Sequence, residues 1–203
     1  MVFLIVLYIG LVASISKGQA QEIPVDLELV IAVDISGSVD DDEAALQRQG
    51  YIKAFRDPRV IDAITHGPNG AIAVTYIEWA GSHHQLPLVK WSLINNAQSA
   101  NNFADDLAFE PVMVNVWTSI SGAIMAGQEA LRRSPYKSER QVIDISGDGA
   151  NNDGAPVLLA REKALASGLT INGLPIVNDR PSRYGRRQIA NLDYYYTDCV
   201  IGG

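Results

Sequence analysis

Three short polar clusters in this chain carry the residue types that hold a hard cation. The first is Asp34-Ile35-Ser36-Gly37-Ser38, the second is Thr118 within Trp117-Thr118-Ser119-Ile120, and the third is Asp148 within Ser146-Gly147-Asp148-Gly149. Together Asp34, Ser36, Ser38, Thr118 and Asp148 offer carboxylates and hydroxyls only. A small hard ion such as Mg²⁺ (or Mn²⁺) takes about six oxygen ligands and gives up its waters reluctantly. Hydroxyls can coordinate it without adding charge, while carboxylates act directly or through water. Alternation along D-x-S-x-S turns Asp34, Ser36 and Ser38 to one side of an extended segment, and Gly37 permits the turn that follows. Two carboxylates just neutralise a divalent ion. The ion would stay electrophilic, with a position open to an acidic group from a partner.

Chemistry of this kind needs three loops held at one edge, and the elements between the clusters can supply it. Residues 27–33 (LELVIAV) form a nearly continuous apolar run ending at Asp34, as expected of a strand buried on both faces. Residues 40–55 read as a helix whose acidic start suits its positive end, with Ser38 or Asp40 as its cap. Residues 71–79 (AIAVTYIEW) predict a second strand, with 85–91 as its hairpin partner after a turn at Gly81. Helices are expected over 97–108 and over 119–132, the latter rich in small residues and able to lie close against a sheet. A strand at 141–145, a helix at 154–167, a strand at 169–174 and a helix at 183–191 complete the series. The alternation predicts an α/β domain, doubly wound, with a mostly parallel sheet and helices on both faces. Ligands of such sheets bind outside the carboxyl ends of the strands, where the strand order reverses. The three polar clusters fall at those ends.

Composition narrows the field. The chain has 203 residues, 47% of them hydrophobic, which is enough for a sizeable core. Its 16 Lys and Arg against 23 Asp and Glu give a net charge of −7, which argues against a nucleic-acid partner. Cys199 is the one cysteine, so an intrachain disulfide and a cysteine-based zinc site are both excluded. Residues 2–15 form an apolar run of signal-peptide length, and Gly18 and Ala20 supply the small-x-small pattern of a cleavage site. We therefore expect residues 1–20 to be a signal peptide and 21–203 to be an exported domain, periplasmic or secreted, without a membrane-spanning segment once the signal is removed. The chain stops on Gly202-Gly203, a pair that marks a turn into a further element, so a C-terminally incomplete domain is expected.

Plainer roles compete at several positions. Asp34 and Ser36 could cap the following helix, Thr118 could cap the 119–132 helix, and Asp148-Gly149 could be only a turn. Asp144 interrupts an apolar strand and reads equally as a support of the site or as a structural carboxylate. Trp79, Trp91 and Trp117 are expected in the core or at its rim, and Tyr194, Tyr195 and Tyr196 as packing. His83 and His84 fall in a turn, and the four arginines at 180, 183, 186 and 187 make a local basic face.

With its elements in this order, the chain resembles a von Willebrand factor type A (vWA) domain over residues 27 to about 191. Asp34-x-Ser36-x-Ser38, Thr118 and Asp148 match the metal-ion-dependent adhesion site of that family. More narrowly, Ile77-Glu78-Trp79-Ala80-Gly81 and Ile143-Asp144-Ile145-Ser146-Gly147-Asp148-Gly149 resemble an uncharacterised bacterial family with this fold and an export signal. The resemblance implies a sheet of order 3-2-1-4-5-6 with the metal at its top. It implies direct ligation by Ser36, Ser38 and Thr118, and contact mostly through water for Asp34 and Asp148. It further implies a non-enzymatic module that binds a protein partner presenting an Asp or Glu carboxylate. The approach to Thr118, Val112-Met113-Val114-Asn115-Val116-Trp117, departs from the glycine-rich approach usual in the family, and the family's last strand and closing helix are not found before Gly203. The alternative is a haloacid dehalogenase-like phosphatase using Asp34 as nucleophile and Asp148 in its late acidic motif, with Thr118 and Lys137 holding phosphate. That chemistry asks for a second carboxylate two residues after the nucleophile, where this chain has Ser36.

Overall fold

The computed structural model describes residues 22–37, 39, 41–111, 113–177 and 189–203. The expected signal peptide, Ser38, the Asp40 cap and the arginine cluster lie outside them. The elements in chain order are β1 (Ile23–Pro24), β2 (Leu27–Asp34), α1 (Asp41–Arg56), α2 (Pro58–Thr65), β3 (Ile72–Trp79), β4 (Gln85–Ile94), α3 (Ala97–Phe109), α4 (Ile120–Arg132), β5 (Tyr136–Lys137), β6 (Gln141–Gly147), α5 (Val157–Ala166), β7 (Thr170–Pro175) and α6 (Leu192–Cys199).

Five strands form the main sheet in the order β4-β3-β2-β6-β7. β2 pairs in parallel with β3 and β6, and β6 with β7, while β4 returns antiparallel to β3. Counting only these strands, the order is 3-2-1-4-5, so the expected doubly wound arrangement is present. Beyond β7, Ile171 and Gly202 exchange both backbone hydrogen bonds, at 2.8 and 3.0 Å, in an isolated antiparallel bridge. The outer edge of β7 is thus met at that point by the last residues of the chain.

Period-two alternation along the strands divides the core into two layers. Val30, Ala32, Ile77, Trp79, Ile143 and Ile145 face α4, α5 and α6. Ile31, Val33, Val74 and Tyr76 face the opposite way, onto Ile52 and Phe55 of α1 and Phe103 and Leu107 of α3. The central strand β2 is therefore apolar on both sides, which is why its sequence shows no alternation. Small residues let α4 lie close: a methyl group on Gly127 would come within 2.8 Å of the Ile143 side chain. At the end of the sheet remote from Asp34, β1 and β5 form a two-stranded parallel ribbon beside Val25, Ala71 and Ala73.

Several elements differ from expectation. Helix α2 was not foreseen; Pro58 opens it, and the Asp57 carboxylate accepts from the Arg59 N–H at 2.9 Å as its N-cap. The helix expected over 183–191 falls mostly outside the described residues, and the observed helix is α6, a few residues later. Among the described residues no helix is long and apolar enough to cross a membrane.

Candidate metal centre

Asp34 is the last residue of β2, and the loop after it is held from two sides. The Ile35 N–H donates to the Trp79 carbonyl at 2.8 Å, and the Asn115 N–H donates to the Ile35 carbonyl at 2.7 Å. Ser36 and Asn115 pair as an isolated parallel bridge. This draws the segment leading to Thr118 against the D-x-S-x-S loop. As a result the Thr118 hydroxyl lies 3.4 Å from the Ser36 hydroxyl, with both residues buried.

The cap of α4 is Ser119, whose hydroxyl accepts from the Gly122 N–H at 3.2 Å. Thr118 is not spent on capping. Its backbone is gripped by the third loop instead: the Thr118 N–H donates to Asn152 Oδ1 at 2.9 Å, and its carbonyl accepts from the Asn152 N–H at 2.8 Å. Trp117 takes a left-handed backbone with φ of 67°. That conformation is rare for a bulky side chain and usual for glycine. The approach to Thr118 therefore makes the same turn a glycine would make, with the indole 60% exposed at the rim of the site.

The third loop follows β6, and Asp148 is buried there. A methyl group on Gly147 would stand 2.8 Å from Asp34 Oδ2, and one on Gly149 would stand 3.7 Å from the Thr118 hydroxyl. The three loops thus meet pairwise, bringing Asp34, Ser36, Thr118 and Asp148 to one end of the sheet. The fifth expected donor, Ser38, lies outside the described residues.

The electrostatics of Asp34 are those of a buried carboxyl with no positive partner. The residue is fully buried, and Oδ1 accepts from the Ser36 N–H at 2.6 Å, while Oδ2 has no hydrogen-bond partner. Burial first, and the neighbouring Asp148 second, push its carboxyl up to about 8; the opposing influences are hydrogen bonds from Ser36 and the Asp148 backbone, with no cationic side chain among them. A divalent cation would supply the missing positive charge. Among the described residues no group of three or more His, Cys, Asp or Glu could hold a metal. The donor set therefore remains carboxylate plus hydroxyl, which suits a hard ion.

Supporting residues escaped the sequence reading. Asn151 accepts from the Ser121 N–H at 2.9 Å through its side chain, and its own N–H donates to the Tyr195 hydroxyl at 3.2 Å. Asp153 Oδ2 accepts from the Ser82 N–H at 2.7 Å and ties the β3–β4 turn to the third loop. That contact holds its carboxyl below the usual range. The Asn-Asn-Asp run was visible, but what each residue fastens depends on the fold. Arg48 of α1 is buried and bonds both Glu78 of β3 and the carbonyl of Glu110, at the head of the segment leading to Thr118. Burial raises the Glu78 carboxyl despite this partner. His84 meets Asn115 at 2.9 Å, a structural tie. Asp144 is half-buried and accepts from Asn172 Nδ2 at 2.6 Å, the structural role of the two foreseen for it. Lys137 sits on β5, at the far end of β6 from Asp148, with Glu22 at 3.2 Å. It cannot hold a phosphate beside Asp34, which removes one support of the phosphatase alternative.

Residues 24–203 match the model of a family described as a protein of unknown function, DUF1194. No curated protein matches the chain. Solved structures of similar fold include an aerotolerance-related membrane protein from Bacteroides fragilis, 20% identical, with a TM-score of 0.55 over 86% of this chain and 86% of that one. The SpRpn10 VWA domain is 15% identical, with a TM-score of 0.55 over 88% of this chain and 84% of that one. Proximal thread matrix protein 1 from the mussel byssus, in a structure described as having a zinc-occupied MIDAS motif, is 17% identical, with a TM-score of 0.58 over 77% of this chain. This chain spans only 39% of the mussel protein's length. At these identities the likeness concerns the fold, which is that of vWA domains.

Proposed function

Since the chain belongs to the DUF1194 family and has a vWA fold, we propose that it is an exported, non-enzymatic binding module that recognises a carboxylate on a protein partner through a divalent cation. The observation that carries this reading is the convergence of three loops on a buried Asp34 whose Oδ2 has no partner. Asp34, Ser36, Ser38, Thr118 and Asp148 would hold the ion, with Mg²⁺ or Mn²⁺ the fitting choices for an all-oxygen set. The bound cation supplies a Lewis-acidic point that a partner's Asp or Glu can complete.

The chain's own residues do the rest. Asn115, Asn151 and Asn152 tie the described parts of the three loops in place with hydrogen bonds of the chain's own, which lowers the ordering cost of binding. The surrounding burial strengthens the pull between ion and carboxylates. Residues 1–20 act as the export signal and 21–203 as the binding domain in this reading.

The test is retention of a partner from the envelope of the producing cell on immobilised protein, with Mg²⁺ and then with chelator. A partner held only in Mg²⁺, and not held by Asp34→Ala, is the expected result. A partner held equally under both conditions overturns the metal-bridged mechanism.

A further inference from the structure

Tyr196 of α6 is buried, and its hydroxyl has no hydrogen-bond partner. Leaving a hydroxyl unpaired in a core costs about 1–3 kcal/mol, and phenylalanine would fill nearly the same space without that cost. The sheet is also shaped to admit this ring. A methyl group on Gly173 of β7 would come within 2.6 Å of Tyr196 Cδ1, and one on Gly147 of β6 within 2.8 Å of its hydroxyl. Two glycines on adjacent strands thus clear a path along which the ring reaches beneath the loops.

What the hydroxyl reaches is Asp34. The same point above Gly147 that lies 2.8 Å from the Tyr196 hydroxyl also lies 2.8 Å from Asp34 Oδ2, the other partnerless oxygen. Two oxygens so placed lie no farther apart than a single bridging water spans. The preceding residue, Tyr195, already accepts from the Asn151 N–H, so α6 is tied to the third loop one residue before Tyr196.

We propose that Tyr196 is a positioning residue of the cation site: its O–H donates to Asp34 Oδ2 when that carboxylate engages an ion, and so couples α6 to the occupancy of the loops. This rests on the metal-binding reading above. Tyr196 touches neither ion nor partner; it orients the carboxylate that does.

The experiment is Mn²⁺ titration of the full chain and its Tyr196→Phe variant by electron paramagnetic resonance, with metal-free melting measured alongside. A hydrogen bond to a charged oxygen predicts Mn²⁺ affinity about tenfold weaker in the variant. The metal-free midpoint should stay level or rise, because an unpaired buried hydroxyl has been removed. Equal affinity in the two proteins overturns the proposal and leaves the metal reading intact. A variant that loses metal-free stability, or fails to fold, shows the hydroxyl to be structural and overturns it as well. Wild-type protein that binds no Mn²⁺ removes the metal reading itself, and this inference with it.

Discussion

Asparagine in place of Asp34 should stabilise the metal-free protein at neutral pH and abolish the effect of metal on its stability. The Asp34 carboxyl is pushed up to about 8 from an ordinary 3.8. The folded state therefore keeps a proton that the unfolded state has released over that interval. Whatever stability this group lends is complete below about pH 4, falls as the pH climbs, and levels off above about 8. Each pH unit of displacement is worth about 1.4 kcal/mol, which sets a ceiling of about 5–6 kcal/mol. An effective interior dielectric above that of dry protein reduces this to about 2–3 kcal/mol. For a domain of this size that is a difference in melting temperature of about 4–12 °C. Glu78 and Asp144 are also raised by burial, so their titration adds to the slope of both proteins and cancels in the comparison. The assay is melting of wild type and Asp34→Asn from pH 4 to 9, with chelator and then with excess Mg²⁺. Wild type should lose stability with pH in chelator and regain it with Mg²⁺, whereas the variant should be flatter and indifferent to the ion. A wild-type slope equal to that of the variant would refute the assignment of Asp34 as a buried carboxyl held protonated by its surroundings.

Two further outcomes follow from the surroundings of the site. Arg48→Met should cost about 3–5 kcal/mol in urea unfolding by stranding Glu78, and pairing it with Glu78→Leu should recover most of the loss. Thr118→Val should erase the Mg²⁺-dependent rise in melting temperature, whereas Ser119→Ala should cost about 1 kcal/mol through its lost cap and keep the Mg²⁺ response. Loss of the response in both, or in neither, would show that the two hydroxyls do not divide the work as described.

Strand β2 was legible because a short, continuous apolar run ending at Asp34 leaves few alternatives. The small-residue face of α4 likewise announced a close packing that Gly127 fulfils against Ile143. Helix α2 was missed because Asp57-Pro58 reads as a break, although the same pair serves as cap and first residue. Helix α6 was missed because three consecutive tyrosines show neither a period of two nor one of 3.6. Which of them turns inward depends on glycines in β6 and β7, far away in sequence. Thr118 stood behind an approach without glycine, and nothing local signals that Trp117 will adopt a glycine's backbone. The Arg48–Glu78 pair was invisible for a related reason, since a charged residue in a helix or strand ordinarily faces water.

The position of Trp117 gives the molecule a built-in optical reporter. Trp79 is sealed in the core and Trp91 is half-buried, its indole N–H donating to the Ala130 carbonyl, whereas Trp117 is largely exposed one residue from Thr118. Fluorescence from Trp79 should be blue-shifted and shielded from iodide, and from Trp117 red-shifted and readily quenched. Anything that docks over the loops must cover Trp117 while leaving Trp79 untouched. Arrival of a partner is therefore written into the emission spectrum of the unlabelled protein.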